Sequence, residues 1–469
     1  MIKKLEKNID ERLFRKLVKK YNYKNFVYVE YPHKSFWSEE FGESDFKKAL
    51  NLLSSSEKGK PLMLYVHIPF CERQCLYCTC RMEINRDDRK IKNYLDLLFR
   101  EIDIYQNFFK KNSFSHDFKE IHFGGGSPTI LNKKDFDRLI EKVGTIVDMK
   151  NVREFSLEVD PRGVDKEKMK YYHDKGINRI SFGIQDFDLK VQKAINRVQP
   201  PELVENLLTS DIRNLFEHGI NFDILCGLPH QTTESMRNTF KKIIEFSPDR
   251  VCFSYFNYAP KFAKHQKIMI DGKNGRPTRL PNTHERKILF KTGLEILVNN
   301  GYLRAGYDHF VRPDDEIAEA MKNKKMGWNE LGVTSGSYTN IIGIGVHSTF
   351  AVGNYYSQNV YGIEDYKAFI ENDRFPIYRG YKLNDNDMVR RDIIRKLRNF
   401  FCLDYKDIEK RYDINFKEYF KKEITALDNF VKDGIVEVLD EGINVTELGR
   451  EFIQFVCGNF DSHITIQKK

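Results

Sequence analysis

Four of the eight cysteines in this 469-residue chain fall within ten residues, in Tyr65-Val-His-Ile-Pro-Phe-Cys71-Glu-Arg-Gln-Cys75-Leu-Tyr-Cys78-Thr-Cys80. A C-x3-C-x2-C loop is too short to pack a core, but it gathers three thiolates, and thiolates hold soft metals. A structural zinc site closes a tetrahedron with a second Cys pair or with distant histidines. This chain has no second pair, although a zinc loop remains the competing reading. A cubane cluster takes one thiolate per iron, so three ligands leave a fourth iron open to an exogenous group, which points to catalysis. Cys80 exceeds what a three-thiolate site needs. The remaining cysteines, Cys226, Cys252, Cys402 and Cys457, stand singly in apolar surroundings and are expected in the core as small hydrophobes.

Two further segments have types and places suited to a site. Gly124-Gly125-Gly126 follows a strand-like run, and without side chains its amides can approach a polar ligand closely. By itself a triple glycine is weak evidence and more often just a tight turn. Glu158 closes a run in which Phe155, Leu157 and Val159 are apolar, so its carboxylate needs a basic partner or a function.

The cysteine spacing after a strand resembles the radical S-adenosylmethionine enzymes. Tyr65-Val-His-Ile-Pro-Phe-Cys71 together with Cys78-Thr-Cys80 narrows the likeness to the oxygen-independent coproporphyrinogen III oxidase (coproporphyrinogen dehydrogenase) family. The resemblance implies that Cys71, Cys75 and Cys78 hold a 4Fe-4S cluster, the metal site at the catalytic centre. It implies that Tyr65, Gly125 and Glu158 contact a first S-adenosylmethionine. It implies a second molecule of that cofactor at Tyr77, Gly126, Ser127, Gln185, Arg197, Asp223 and Ala259, with Thr349 near the cofactors at a position the family usually fills with isoleucine. An arginine suits a carboxylate bidentately, and an aspartate suits ammonium or ribose hydroxyls. The reaction implied is abstraction of a propionate β-hydrogen by a 5'-deoxyadenosyl radical, with loss of carbon dioxide and one electron to leave a vinyl group. Two rounds convert coproporphyrinogen III to protoporphyrinogen IX in haem biosynthesis. The implied partners are this tetrapyrrole and an electron donor such as flavodoxin or ferredoxin, acting on a cytoplasmic monomer.

The likeness runs from Tyr21 to the C-terminal helices, with departures. Where the family reads Pro-Arg-Tyr-Thr-Ser-Tyr-Pro-Thr, this chain has Phe26-Val-Tyr-Val-Glu-Tyr-Pro-His33 and loses the arginine near Val27. Where the family reads Phe-Gln-Gly-Tyr-Thr-Thr, it has Trp328-Asn-Glu-Leu-Gly-Val-Thr-Ser335. Both departures lie on the substrate side. Relatives with the same two-cofactor motifs carry out methyl transfer, cyclopropanation or anaerobic haem opening, and shorter relatives act as haem chaperones. Cys80 and the full-length N-terminal segment speak against the chaperone role.

These residues need a scaffold, and the pattern supplies one. Strand-like runs at Leu62–Pro69, Glu120–Phe123, Glu154–Val159, Arg179–Ile184, Phe222–Leu225 and Val251–Tyr255 alternate with helical periodicity such as Ile91–Phe109. This predicts an α/β fold, a partial (β/α)6 barrel with its chemistry at the carboxyl ends of the strands. An N-terminal helical arm over residues 1–55 is expected to cover the mouth of a barrel at 56–310. A connecting segment, 311–384, contributes to the active site. A mostly helical, winged-helix-like cap follows at 385–469, with a wing around Asp440-Glu441.

Composition narrows the partners. The chain has 77 Lys and Arg against 68 Asp and Glu, a net +9. Eight basic and three acidic residues lie in Met1–Lys20, where Ile2, Leu5, Ile9, Leu13 and Leu17 are near helical spacing. Arg391–Phe460 holds 12 basic and 14 acidic residues, so the wing lacks the footprint of a nucleic-acid reader. Mean hydropathy is −0.56 and there is no apolar run of about 18 residues, so no membrane span is expected.

Overall fold

The computed structural model describes residues 11–22, 28–114, 117–271, 278–336 and 340–464. Ile2, Leu5 and Ile9 of the expected N-terminal helix, and Phe26 and Val27, lie outside the described residues.

All six expected strands form, in order: β1 (Pro61–Ile68), β2 (Asp117–Gly125), β3 (Glu154–Val159), β4 (Arg179–Gln185), β5 (Ile220–Cys226) and β6 (Arg250–Tyr255). Each pairs in parallel with the next. Successive side chains point to opposite faces. One face carries Leu64, Val66, Ile121, Phe123, Phe155, Leu157, Ile180, Phe182, Phe222, Ile224, Val251 and Phe253, all in the main hydrophobic core. The other carries Tyr65, His122, Ser156, Glu158, Ser181, Asn221, Asp223, Cys252 and Ser254. Pairing sets these side by side, with Tyr65 next to His122, Glu158 next to Ser181 and Asp223 next to Cys252. A parallel sheet buried on both faces would be apolar throughout, so this alternation marks a sheet with a polar interior face.

The apolar face is covered by helices whose periodicity matches it. In α2 (Asp88–Lys111), Ile91, Tyr94, Leu95, Leu98, Ile102, Tyr105 and Phe109 are buried, and Asp87 caps the first turn by accepting from the Arg89 amide. The helix extends beyond the expected Ile91–Phe109 because that capping aspartate starts it earlier. α3 (Thr283–Asn299) opens on a reciprocal cap between Asn282 and Glu285, and its Phe290 stacks on Phe253 of β6 at 4.7 Å. Phe182 is fully buried, and its truncation to alanine would cost about 3–5 kcal/mol.

The sheet does not stop at six strands. β7 (Leu303–Ala305) and β8 (His309–Val311) form a hairpin antiparallel to β6. On the opposite edge, β9 (Asn340–Ile344) lies parallel to β1, and β10 (Thr349–Val352), β11 (Tyr355–Asn359) and β12 (Ile377–Lys382) continue antiparallel. The order is β12-β11-β10-β9-β1-β2-β3-β4-β5-β6-β8-β7.

A second core lies toward the C-terminus. α4 (Asp385–Phe400) packs with later helices and a three-stranded sheet of Cys402–Asp404, Gly442–Val445 and Val436–Leu439, which contains the expected wing. Phe14, Leu17 and Val18 of α1 (Glu11–Lys20) are buried in this same core, and Tyr21 stacks on Phe430 at 5.2 Å. Tyr28 and Tyr31 hydrogen-bond to Asp461 and Ser462 at 2.8 and 2.9 Å. Two lone cysteines are not core residues, contrary to expectation. Cys402 is exposed, because it begins an edge strand, and Cys252 is partly exposed because β6 turns it toward the polar face. No helix among the described residues is long and apolar enough to cross a membrane.

Candidate functional site

The cysteine loop leaves β1 and is pinned from several sides. The Leu76 amide donates to the Ile195 carbonyl at 2.9 Å, and Asn196 Nδ2 donates to the Gln74 carbonyl at 2.7 Å. His265 Nε2 bonds the Cys78 carbonyl at 2.8 Å, and Gln266 Nε2 donates to the Tyr77 carbonyl at 2.9 Å. Leu76 is buried against Val191, Ile195, Leu228, Phe256 and Met269. The backbone is thus held while none of the four thiols is tied up in a disulfide. Cys75 is buried, Cys71 and Cys78 are half-buried and Cys80 is exposed.

Two guanidiniums reach the central thiol. Arg197 Nη1 and Arg162 Nη2 lie 3.4 and 3.5 Å from Cys75 Sγ, and both also bond Asp160, at 3.1 and 2.6 Å. Burial raises the Asp160 carboxyl, but the Arg197 and Arg162 charges outweigh it and hold the pKa at about 2. Such a donor set fits a thiolate-ligated cluster, since cationic hydrogen-bond donors stabilise anionic sulfur.

The glycine loop leaves room where side chains would not fit. A Cβ on Gly126 would stand 2.5 Å from the Phe70 carbonyl oxygen, one residue before Cys71. Gly125 has φ +111°, and a Cβ there would meet the His67 ring at 2.8 Å. Its amide donates to Glu158 Oε2 at 3.2 Å, and Glu158 Oε1 bonds His122 Nε2 at 3.1 Å. His122 also bonds Ser156 and stacks on Tyr65, whose hydroxyl bonds His67 Nδ1 at 2.9 Å. Tyr65, Gly125 and Glu158 are therefore brought into one network. Burial keeps the Tyr65 hydroxyl well above the usual range and the His67 imidazole below it, so both are neutral donors or acceptors at pH 7.

A second group surrounds the far side of the loop. Gln185 is buried with φ +69°, at a register shift where β4 ends. A Cβ on neighbouring Gly183 would meet Arg197 Nη2 at 2.9 Å and Gln185 Nε2 at 3.1 Å, which places those two side chains together. Gln266, wholly buried, accepts from the Ala259 amide at 2.7 Å while donating to Tyr77, so it joins these two positions. Ser127 shares a small pocket with Cys71, Asp160 and Arg162. Asp223 lies on the interior face, bonded to Asn221 Nδ2 at 2.8 Å and Ser181 Oγ at 3.1 Å, its pKa raised by burial and by Glu158. Thr349 bonds Glu330, whose charge acts on the Tyr65 hydroxyl, and so lies beside the first group.

The polar sheet face opens on a cavity of about 770 Å³, lined by Glu158 and Asp223 on the strands and by Arg286 and Arg398 opposite. Sequence reasoning missed Arg162, His122, Gln266 and most of this lining. The polar alternation Ser156, Ser181, Asn221, Cys252 and Ser254 is the signal that finds its floor. The segment Trp328–Ser335 forms a hairpin, Gly327–Asn329 with Gly332–Thr334, and places Trp328 and Glu330 on the cavity wall. Val29 and His33 of the N-terminal segment line it too, and Lys34 bridges to Glu330 at 2.8 Å.

Comparison with known proteins places this geometry. The radical SAM superfamily matches residues 65–243. The oxygen-independent coproporphyrinogen III oxidase of Escherichia coli (strain K12) is 36% identical over 451 residues, covering 96% of this chain and 95% of that protein. The enzyme of the same name from Pseudomonas aeruginosa is 34% identical over 453 residues, with 96% and 95% covered. A solved structure, described as coproporphyrinogen III oxidase (HemN) from Escherichia coli, a radical SAM enzyme, superposes with a TM-score of 0.84 at 34% identity, covering 93% of this chain and 98% of that one.

Proposed function

Because the chain belongs to the oxygen-independent coproporphyrinogen III oxidase family of radical SAM enzymes, we propose that the cavity receives coproporphyrinogen III beside the cysteine loop. The protein is an oxidoreductase of haem biosynthesis that uses a 4Fe-4S cluster and S-adenosylmethionine to oxidise this tetrapyrrole without oxygen. When bound, these groups supply a carbon-centred radical able to take hydrogen from an unactivated carbon.

The chain's own residues bind, orient and exclude water. Cys71, Cys75 and Cys78 would hold the cluster, with Arg197 and Arg162 placed to donate to the central sulfur. Glu158 is fixed by His122 and the Gly125 amide, so its carboxylate faces the cavity in one orientation and can receive an ammonium or ribose hydroxyl. Tyr65, Gly125 and Glu158 form the first cofactor surface in this reading. Tyr77, Gly126, Ser127, Gln185, Arg197, Asp223 and Ala259 form a second, for another S-adenosylmethionine, and Thr349 supports Glu330 on the cavity wall.

One observation carries the substrate reading: a cavity of about 770 Å³ joins the Glu158 network to a wall of arginines. That is within the range of about 300–1,000 Å³ that encloses organic ligands. Each propionate oxidised gives one β-hydrogen to the deoxyadenosyl radical, one electron to an external one-electron acceptor, and its carboxyl as carbon dioxide, leaving a vinyl group. The chain has a single C-x3-C-x2-C motif, so the reducing electron comes from outside, from a donor of flavodoxin or ferredoxin type. We place this activity in the cytoplasm, with residues 1–55 and 311–384 completing the mouth of the 56–310 barrel and 385–469 capping it. The test is anaerobic turnover of reconstituted protein with reductant, S-adenosylmethionine and coproporphyrinogen III. Release of 5'-deoxyadenosine with protoporphyrinogen is expected, and deoxyadenosine without decarboxylation would refute the substrate.

A further inference from the structure

The cavity wall carries unused hydrogen-bond capacity of one kind. Arg398, on α4, is 4% exposed, and neither its Nη1 nor its Nη2 has a hydrogen-bond partner. Arg286 Nε, Trp328 Nε1 and the Tyr255 hydroxyl are likewise buried without partners, and all four residues line the same cavity. Three of them are donors only, and the fourth is a hydroxyl that can donate. A buried guanidinium without an acceptor is costly, so an acceptor supplied here would be stabilising.

Neighbouring acids do not supply one. Asp308 is the carboxylate whose charge Arg398 feels most, but it is committed to His309 Nδ1 and Ser254 Oγ, each at 3.0 Å. Glu451 is bound through Oε1 by Arg304 at 2.9 Å and has Lys287 3.8 Å from Oε2, and Glu330 is bound by Lys34. The Cζ of Arg398 lies 3.2 Å from the Trp328 ring centroid, and that of Arg286 lies over Tyr255 at 5.1 Å. A cation held over an aromatic face is restrained there without using its N–H donors. The ligand that answers such a wall brings several negative acceptors on flexible arms.

We propose that this wall is a carboxylate subsite in which Arg398, backed by Trp328, receives a propionate of the tetrapyrrole, with Arg286 and Tyr255 supplying donors to the same substrate. The inference rests on the coproporphyrinogen reading and adds the residues that would hold the non-reacting acid groups. Trp328 belongs to the Gly327–Asn329 and Gly332–Thr334 hairpin, so the ring against Arg398 is held by a two-stranded element of the cavity wall.

The test uses the reconstituted holoenzyme and two probes, coproporphyrin III and its tetramethyl ester, with affinity read from quenching of porphyrin fluorescence. Wild type is expected to prefer the acid. Arg398→Gln is expected to weaken acid binding roughly tenfold or more and leave ester binding unchanged, since a charge-assisted bidentate contact is lost. An unchanged acid affinity, or equal losses for acid and ester, would overturn the proposal. Should Arg398→Gln fail to fold, Arg398→Lys carries the test. It keeps the charge without the fork, and is expected to raise KM several-fold while kcat holds; an unaltered KM would overturn the proposal. The two readings fail separately. Wild type that yields no protoporphyrinogen refutes the reaction, whereas active wild type with an indifferent Arg398→Gln variant refutes the anchor alone.

Discussion

Removing Arg162 is expected to lower the midpoint potential of the cluster by about 50 mV. Its Nη2 lies 3.5 Å from Cys75 Sγ. At that distance, with an effective dielectric of ~20, a unit positive charge is worth about 5 kcal/mol to a unit negative charge. An electron added to a four-iron core puts about a quarter of its charge at one iron–thiolate corner, which leaves about 1.2 kcal/mol, or about 50 mV for a one-electron couple. Asp160 stays in place in the Arg162→Gln variant because Arg197 still binds it at 3.1 Å. The assay is an anaerobic redox titration followed by electron paramagnetic resonance, at matched iron content. Arg162→Lys, which keeps the charge but not the fork, should fall between wild type and Arg162→Gln. A midpoint that moves by less than about 20 mV, or moves upward, refutes the argument that this guanidinium sets the energy of the reduced cluster.

Gly126→Ala should reduce iron and labile sulfide bound per chain, because its Cβ would press on the Phe70 carbonyl at 2.5 Å and push the strand before Cys71; full loading would show that the loop yields freely. Cys75→Ala should abolish the iron–sulfur absorbance and all deoxyadenosine release, and a variant retaining that absorbance would exclude Cys75 as a ligand. Asp186 accepts from Gln231, Thr239 and the Asp188 amide, yet burial raises its carboxyl from 3.8 to about 6. The folded chain therefore holds a proton that the unfolded chain gives up, so this contribution is full below pH 3.8 and is lost as pH rises through about 6. The loss amounts to about 3 kcal/mol. Denaturant titrations from pH 4 to 6.5 should show that slope in wild type and not in Asp186→Asn, and parallel curves would refute it.

The cysteine loop and the six strands were legible because each rests on a local signal, thiol spacing in one case and side-chain alternation in the other. Glu158 was legible because a carboxylate amid Phe155, Leu157 and Val159 conflicts with its neighbours. Arg398 was not. It lies in a long amphipathic helix where an arginine is ordinarily solvated, and only the packing of Trp328, 70 positions earlier, turns it toward the cavity. β9 escaped notice because it joins β1 from the far end of the chain, a pairing that local pattern does not encode. Cys402 was misplaced for the converse reason: apolar neighbours predict burial, but an edge strand turns alternate residues outward.

The contacts of Tyr28 with Asp461 and Tyr31 with Ser462 join positions 433 and 431 apart in the chain. Synthesis is vectorial, so the segment carrying Val29 and His33 waits for its seat until Asp461 and Ser462 have been made. The cysteine loop and its supports at Asn196 and Gln266 are complete long before that. During translation, the nascent barrel therefore presents its thiols at a mouth whose rim is still missing.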